Sequence, residues 1–247
     1  MLIDTHCHIH ESDYPLPLAD VLQHAHENGV DKMICVGTSE ASSVDAVRMA
    51  QEYNHIFASV GVHPHDTKDG YGQIAELAKQ GAIAVGEIGL DYYYNHSPRE
   101  VQIAALEAQI QIALDNNLPI IFHVREAFDD FWPLFDNFHG IRGVLHSFTD
   151  SQENLDQAFA RGLYVGINGI STFTKDPVQQ KMYAAIPLEK MLLETDAPFL
   201  TPTPYRGTIN EPAFVSEVAK FHAKIRGIQP EDVAVATTTN ATTLFRF

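Results

Sequence analysis

The chain has 247 residues, 45% of them hydrophobic, which is enough for one sizeable core. Its formal net charge is −16, from 16 Lys and Arg against 32 Asp and Glu, and no basic run is present, which argues against a protein that wraps duplex nucleic acid. No apolar run approaches the ~18 residues of a membrane span, and the N-terminus lacks the features of a secretory signal. Cys7 and Cys35 are expected as reduced core thiols, so a cytoplasmic protein with no membrane contact is predicted.

Short apolar runs alternate along the chain with longer stretches of helical spacing, and eight of these runs are predicted as strands buried on both faces. They are Leu2–Thr5, Met33–Gly37, Phe57–Gly61, Ile83–Gly86, Pro119–Phe122, Gly143–Leu145, Leu163–Ile167 and Met191–Glu194. This alternation predicts the α/β class, as a (β/α)8 TIM barrel with residues 1–247 in a single domain. A doubly wound open sheet is the second choice, and the Gly-rich phosphate turn expected of it is absent.

The stretches between the strands carry apolar residues on one face, as amphipathic helices do. The clearest faces lie within residues 18–25, 103–114 and 155–159, and a shorter one lies within residues 74–78. Asp150 followed by Glu153 predicts a capping box at the start of the third helix. Residues 201–212 are rich in Pro, Thr and Gly and predict a long loop after the eighth strand. Two extra C-terminal helices are predicted over residues 212–226 and from Pro230 onward.

Two histidines at the end of the first predicted strand are the first candidate functional residues. His6 and His8 are separated by one residue, so both side chains point the same way along extended backbone while Cys7 points the other way. Cys7 is therefore left out of the candidate ligands. At the carboxyl end of a barrel strand, the direction shared by His6 and His8 is the barrel mouth, where such enzymes keep their active sites.

Further polar residues end later predicted strands in the same way. They are Glu87 after the fourth strand, His123 after the fifth, His146 after the sixth and Asp196 after the eighth. With His6 and His8 they form a set of nitrogen and oxygen donors that suits Zn²⁺, Mn²⁺, Fe²⁺ or Co²⁺ and, less well, Mg²⁺. Most of the remaining histidines are interpreted as surface residues: His10, His24, His26, His55, His96, His139 and His222.

Other residues near the predicted mouth are candidates for contacting a substrate. His63 and His65 follow the third strand, and His63 is expected to contact substrate or to orient a ligand. Arg125 and Arg206 carry guanidinium groups that grip phosphate or carboxylate, with surface ion pairing as the alternative. Tyr205 and the run from Tyr92 to Tyr94 are candidates for stacking on a base or sugar.

These residues together resemble the TatD family of metal-dependent deoxyribonucleases, which are amidohydrolase-like barrels. The matching segments follow the family's order over nearly the whole chain: Ile3–His8, Gly61–His65, Gly86–Tyr92, Ile121–Arg125, His146–Phe148, Glu194–Pro198, Tyr205–Gly207 and Asn210–Pro212. One departure is the uncharged pair Thr208 and Ile209, where relatives often carry basic residues. This departure argues against a strong grip on a long phosphate backbone.

The resemblance implies a site with two divalent metal ions. His6, His8 and Asp196 would hold one ion, His123 and His146 the other, and Glu87 would bridge them. Asp196 and Glu87 are the expected catalytic residues. Asp196 would orient the metal-activated water and take its proton.

Three functional hypotheses follow. The first is a metal-dependent phosphodiesterase, an exonuclease-like DNase that trims DNA or RNA ends, with short single strands as substrates. The second is a metal-dependent hydrolase of carboxylic esters or amides, such as a D-aminoacyl-tRNA deacylase. The third is a metal-binding scaffold without turnover, for which the sequence offers little. The native metal, the substrate and the cleavage polarity stay open, and so does the oligomeric state, with a monomer slightly preferred.

Overall fold

The computed structural model describes all 247 residues and contains eight strands. They are β1 (Leu2–Cys7), β2 (Val30–Val36), β3 (Ile56–Val60), β4 (Ala84–Asp91), β5 (Ile120–Arg125), β6 (Gly143–Leu145), β7 (Tyr164–Ile167) and β8 (Met191–Leu193). All eight predicted strands are confirmed. β1, β4 and β5 extend further than predicted, so His6, Glu87 and His123 lie inside strands and not after them.

The strands follow one another in sequential order in a single eight-stranded sheet. The pairs β3–β4, β4–β5, β5–β6 and β7–β8 are parallel. A parallel bridge joins Cys7, the last residue of β1, to Ala197 beyond β8. Parallel strands in sequential order with helices between them are the (β/α)8 arrangement, so the predicted TIM-barrel fold is confirmed.

Ten α-helices connect or follow the strands. They are α1 (Leu18–Glu27), α2 (Glu40–Glu52), α3 (Ile74–Leu77), α4 (Arg99–Asp115), α5 (Phe128–Asp136), α6 (Gln152–Ala160), α7 (Ile170–Phe173), α8 (Pro177–Ala185), α9 (Val215–Arg226) and α10 (Pro230–Phe245). The two predicted C-terminal helices are confirmed as α9 and α10. A short 3₁₀ turn, Pro212–Phe214, precedes α9 and ends the predicted loop.

The predicted cap of α6 is wrong. Ser151 is the N-cap residue, and its hydroxyl accepts a hydrogen bond from the Asn154 backbone N–H at 3.2 Å. Asp150 lies one residue too early for that role and instead accepts from the Asn154 side-chain amide. A serine hydroxyl at the N-cap satisfies one of the unpaired N–H groups of the first turn, so the helix begins one residue later than the Asp150 pattern indicated.

The chain divides into two compact units. The first unit comprises residues 1–34 and 147–246, and there α10 packs on β1, β8 and α9. The second unit comprises residues 35–146 with Phe247, and there α2 packs on β3 and α4 on β4. The prediction of a single domain over residues 1–247 stays a prediction.

Strand β4 shows why the second unit needs buried polar side chains. All eight of its residues are buried, and Gln102 and Gln109 on the facing helix α4 are fully buried as well. Gln109 bonds both the N–H and the carbonyl of Val62, and Gln102 bonds both the N–H and the carbonyl of Asp91. These amides satisfy backbone groups where strands become loops, which avoids the free-energy cost of burying them unpaired.

None of the helices is long and apolar enough to cross a membrane. Cys7 and Cys35 are buried and are not joined in a disulfide, as expected of core thiols. The Cys7 thiol donates to the Ile34 carbonyl oxygen at 3.4 Å, which agrees with its exclusion from the candidate ligands. The cytoplasmic location stays a prediction.

Candidate metal centre

In the first unit, His6, His8 and Asp196 come together as one cluster, called here the first cluster. The backbone sets their positions: the Asp196 N–H donates to the His6 carbonyl oxygen and the His8 N–H donates to that of Ala197, both at 2.8 Å. These bonds continue the parallel pairing beyond the ends of β1 and β8. Asp196 has a φ of 60°, so the chain turns there and its carboxylate faces the two imidazoles.

The distances within the first cluster fit a shared cation. The Nε2 atoms of His6 and His8 are 3.2 Å apart, and they lie 3.6 Å and 3.4 Å from Oδ1 of Asp196. Donors of a tetrahedral Zn²⁺ at about 2.1 Å from the ion are separated by about 3.4 Å. Both histidines are buried and the Asp196 side chain is 15% exposed, so the cluster retains access for a ligand.

Asp4 supports the first cluster, a role that the sequence did not reveal. Its fully buried carboxyl group accepts from the Thr195 N–H at 2.9 Å and from the Thr195 hydroxyl at 2.5 Å. Burial raises the pKa of Asp4 to about 8, although the hydrogen bonds from Thr195 and His6 oppose the shift. Asp4 thereby fixes the residue that immediately precedes Asp196.

In the second unit, Glu87, His123 and His146 form a corresponding group, called here the second cluster. Oε1 of Glu87 lies 2.9 Å from His123 Nδ1 and 2.8 Å from His146 Nε2, and the two nitrogens are 3.3 Å apart. Glu87 sits where the register between β4 and β5 shifts between Val85 and Ile88. Such irregularities re-aim side chains next to active sites.

The carboxylate of Glu87 is buried at 4% exposure among imidazoles. Burial opposes its ionisation, but the imidazoles of His146 and His63 and the hydrogen bonds from His123 and His146 hold the pKa of Glu87 well below its usual value. A buried carboxylate beside imidazole nitrogens is a donor set that suits a divalent cation. The donor atoms of His63, Glu87 and His123 all lie within 4.8 Å of one another.

Asp91 orients the His123 ring, a role that the sequence does not reveal. Its Oδ2 atom lies 3.0 Å from His123 Nε2 and 3.1 Å from His65 Nε2. The hydrogen bonds from His123 and His65 hold the pKa of Asp91 below its usual range, although burial opposes the shift. Because the Asp91 carboxylate accepts from Nε2, Nδ1 is the nitrogen of His123 that would bind a cation placed between this ring and Glu87. Gly89 pairs with His123 across the sheet, and Asp91 lies two residues after Gly89 on the same face of β4. The strand register therefore brings the side chains of Asp91 and His123 together.

His63 lies beside the second cluster, with Nε2 3.5 Å from Oε1 of Glu87. Burial lowers the pKa of His63 well below its usual value, so the ring is neutral at physiological pH and its unprotonated nitrogen can bind a cation or accept a hydrogen bond. This position agrees with the predicted role near substrate or ligand, which stays a prediction.

The other predicted substrate contacts are exposed, and each is paired with an aromatic ring in its own unit. The Arg125 guanidinium lies 4.0 Å from the centre of the Tyr93 ring. Arg206 lies 3.8 Å from the ring centre of Phe173 and donates to the Thr201 carbonyl oxygen. Tyr205 stacks on Phe214 with ring centres 4.4 Å apart. Neither arginine forms a salt bridge with a carboxylate.

The prediction of a surface position is wrong for two histidines, which are buried. His10 is 5% exposed and His222 is fully buried. His222 Nε2 lies 3.0 Å from the Ser171 hydroxyl oxygen, and Arg226 donates to its Nδ1 at 2.7 Å. A loop or helix position in the sequence does not disclose such long-range partners, which is why both were assigned to the surface.

The sequence is similar to one protein family over nearly its whole length: the family described as TatD related DNase matches residues 3–246. The chain is 36% identical to an uncharacterized metal-dependent hydrolase, YabD, of Bacillus subtilis, over 100% of this chain and 99% of that protein. It is 35% identical to the 3'-5' ssDNA/RNA exonuclease TatD of Salmonella typhimurium, over 99% of this chain and 98% of that protein. Its fold is similar to the crystal structure of YJJV, a TatD homologue of Escherichia coli, with a TM-score of 0.91 and 27% identity over 100% and 98% of the two chains.

Proposed function

Because the chain belongs to the TatD-related DNase family of metal-dependent hydrolases, we propose that it is a phosphodiesterase that releases nucleotides from the ends of single-stranded DNA or RNA. The Salmonella relative is named for 3'-5' exonuclease activity on these substrates, so release from the 3' end is the polarity expected here. The net charge of −16 supports short single strands as substrates, because an acidic surface repels a long polyanion.

The observation that carries the proposal is the buried Glu87 carboxylate with imidazole nitrogens at 2.8 and 2.9 Å. We propose that His6, His8 and Asp196 would hold one divalent ion, that His123 and His146 would hold the other, and that Glu87 would contribute its carboxylate to both. Five of the six residues lie at or near the carboxyl ends of strands in a sequentially ordered parallel sheet, where barrels of this class keep their active sites, and Glu87 lies midway along β4. Imidazole and carboxylate donors favour Zn²⁺, Mn²⁺, Co²⁺ or Fe²⁺ over Mg²⁺.

Divalent ions bound by these residues would lower the pKa of a water molecule and offset charge on the phosphoryl group. The protein's own groups then position the reactants. Asp196, whose side chain keeps 15% exposure beside two buried imidazoles, orients the attacking water and accepts its proton. His63, held neutral next to Glu87, is available to contact the phosphate oxygens or the leaving group.

The test is nucleotide release from oligonucleotides labelled at the 5' or the 3' end, after chelation and after re-addition of each metal. Release is expected to stop on chelation, to return with metal and to proceed from the 3' end. The double variant His123→Ala, Asp196→Asn is expected to be inactive. The matched control is His55→Gln, which removes a histidine close to the start of β3, away from both clusters along the chain. Undiminished release by the double variant would overturn the proposal.

The ester- or amide-hydrolase alternative is not favoured, because the relative described above with a named substrate is an exonuclease. A panel of aryl esters, lactones and D-aminoacyl esters beside a phosphodiester compares the two reactions directly. A carbonyl-to-phosphoryl rate ratio well above one would favour the alternative. Absence of turnover on the whole panel with metal bound would favour a scaffold. That the protein acts as a monomer stays a prediction, which light scattering tests.

A further inference from the structure

Two exposed tyrosines follow β4 directly beyond Asp91. Tyr93 is 53% exposed and Tyr94 is 51% exposed, so two large aromatic side chains stand next to each other at the surface. Tyr92, the first tyrosine of this run, is less exposed. Its hydroxyl donates to Asp130, and Arg99 lies over its ring. Only Tyr93 and Tyr94 of this run are more than half exposed.

The two tyrosines form an ordered group with His96 and Arg125, called here the aromatic platform. The rings of Tyr93 and Tyr94 meet edge to face at 4.8 Å, and the ring of Tyr94 is parallel to His96 at 5.7 Å. The Arg125 guanidinium lies 4.0 Å from the Tyr93 ring centre and 4.9 Å from that of Tyr94. The platform thus combines flat aromatic surfaces with one cation.

Hydrogen bonds fix the backbone of the platform. Oδ1 of Asp91 accepts from the N–H groups of both Tyr93 and Tyr94 at 3.0 Å. Gln102 from α4 donates to the carbonyl oxygens of Asp91 and Ser97, at the two ends of the loop. An exposed aromatic group on a fixed backbone binds a flat ligand with little loss of conformational entropy.

The platform is joined to the second cluster through one carboxylate. Oδ1 of Asp91 holds the two tyrosine N–H groups, while Oδ2 contacts Nε2 of His123. The edge of the platform also touches His65, whose ring lies 5.3 Å from Tyr94. A ligand stacked on the platform therefore lies next to the residues proposed to act on the phosphodiester.

We propose that the aromatic platform is a stacking subsite for a nucleobase close to the scissile phosphate of a single strand. This inference rests on the proposed function. Stacking on aromatic rings tolerates every base and needs no large positive surface, which suits a chain with a net charge of −16. Arg125 adds a guanidinium plane that stacks on bases and attracts the neighbouring phosphate. A duplex end would have to unpair before one of its bases could reach the rings.

The experiment is an abasic scan combined with a platform variant. A series of single-stranded oligonucleotides carries one abasic site at each successive position from the cleaved end, and KM is measured for each with the metal-loaded enzyme. In the wild type, one or two positions are expected to raise KM by about tenfold or more, as expected when a stacked base is lost. The variant Tyr93→Ala, Tyr94→Ala is expected to raise KM for the intact oligonucleotide by a similar factor and to show no further loss at those positions.

Matched variants keep the outcome interpretable. Tyr93→Phe, Tyr94→Phe retains both rings and is expected to restore the position-specific abasic effect. Tyr53→Ala removes a tyrosine at the C-terminal end of α2, before the start of β3, and is expected to leave KM unchanged. Thermal unfolding of each variant checks that the fold is kept.

Two results overturn the inference. Abasic effects that persist unchanged in the Tyr93→Ala, Tyr94→Ala variant would show that the base is bound elsewhere. A wild type without any position-dependent abasic effect would show that no base is stacked. Failure of the proposed function looks different, because the wild type would then release no nucleotide from any oligonucleotide, with intact bases or without.

Discussion

The two donor clusters have similar chemistry but are held in place in different ways. In the first cluster, backbone bonds beyond β1 and β8 position His6, His8 and Asp196. In the second cluster, Asp91 holds the His123 ring through a side-chain contact at 3.0 Å. The ligand positions of the first cluster follow from strand pairing, with Asp4 holding Thr195 next to Asp196, whereas the His123 ring is oriented directly by the side chain of Asp91. The two clusters should therefore respond differently to substitutions around them.

The largest expected effect comes from Glu87→Gln, which removes the charge at the centre of the second cluster without changing its size. Electrostatic stabilisation by bound metal is worth several kcal/mol, so kcat/KM is expected to fall about a thousandfold or more. Steady-state release from a 3'-labelled oligonucleotide measures this loss. Activity within a factor of ten of the wild type would mean that Glu87 has no central role.

Asp91→Asn tests the side-chain support of the second cluster. The amide keeps the shape but no longer accepts a charge-assisted hydrogen bond from His123, so metal affinity or activity is expected to fall by about 10- to 100-fold. Titration with metal should restore activity at higher concentrations, as a weakened site predicts. If activity depended on metal concentration as it does in the wild type, Asp91 would not support the second cluster.

Gly89→Ala probes the close approach of β4 to β5 beside His123. A side chain at position 89 would collide with the backbone carbonyl of His123. The unfolding free energy is expected to fall by about 1–3 kcal/mol, as for other overpacked sites, and urea denaturation measures it. Gly72→Ala is the matched control, because the nearest atom to a new Cβ there lies 3.9 Å away. Equal stability of the two variants would contradict the packing argument.

The smallest expected effect concerns His222, which lies in the first unit and belongs to neither cluster. Burial, together with the Arg226 cation, lowers its pKa from 6.5 to about 3. Between these values the unfolded chain binds a proton that the folded chain does not, so stability falls as the pH is lowered from 6.5 toward 3. This contributes at most about 1.4 kcal/mol per pH unit.

Urea denaturation at pH 7 and pH 5 measures the pH effect. His222→Gln removes the titrating group and is expected to reduce the difference in stability between the two pH values. A difference that is unchanged in this variant would assign the acid sensitivity to other groups.

The strands could be predicted from the sequence, because strands buried on both faces are continuous apolar runs. Such runs can be recognised without knowing which strands pair. The members of each cluster were also predictable, because His6 and His8 share a direction along the strand and Asp196 follows β8. The exact strand ends were not predictable: β4 runs four residues beyond Glu87, because the register shift keeps it paired with β5.

The residues that support the clusters could not be found in this way. Asp4 reaches Thr195, 191 positions away, and the contact between Asp91 and His123 depends on the register of β4 against β5. Buried His222 is hydrogen-bonded to Ser171 and Arg226, which a helical pattern does not reveal. Periodicity predicts which side of an element is buried, but it does not predict which polar partners meet there.

The most direct test of the account is the metal content of the purified protein and of two double variants, measured by elemental analysis after metal loading and removal of excess. Two ions per chain are expected in the wild type. His6→Ala, His8→Ala should lose one ion, and His123→Ala, His146→Ala should lose the other, with nucleotide release abolished in both. Wild-type metal content in both double variants would contradict the assignment of these residues as metal ligands.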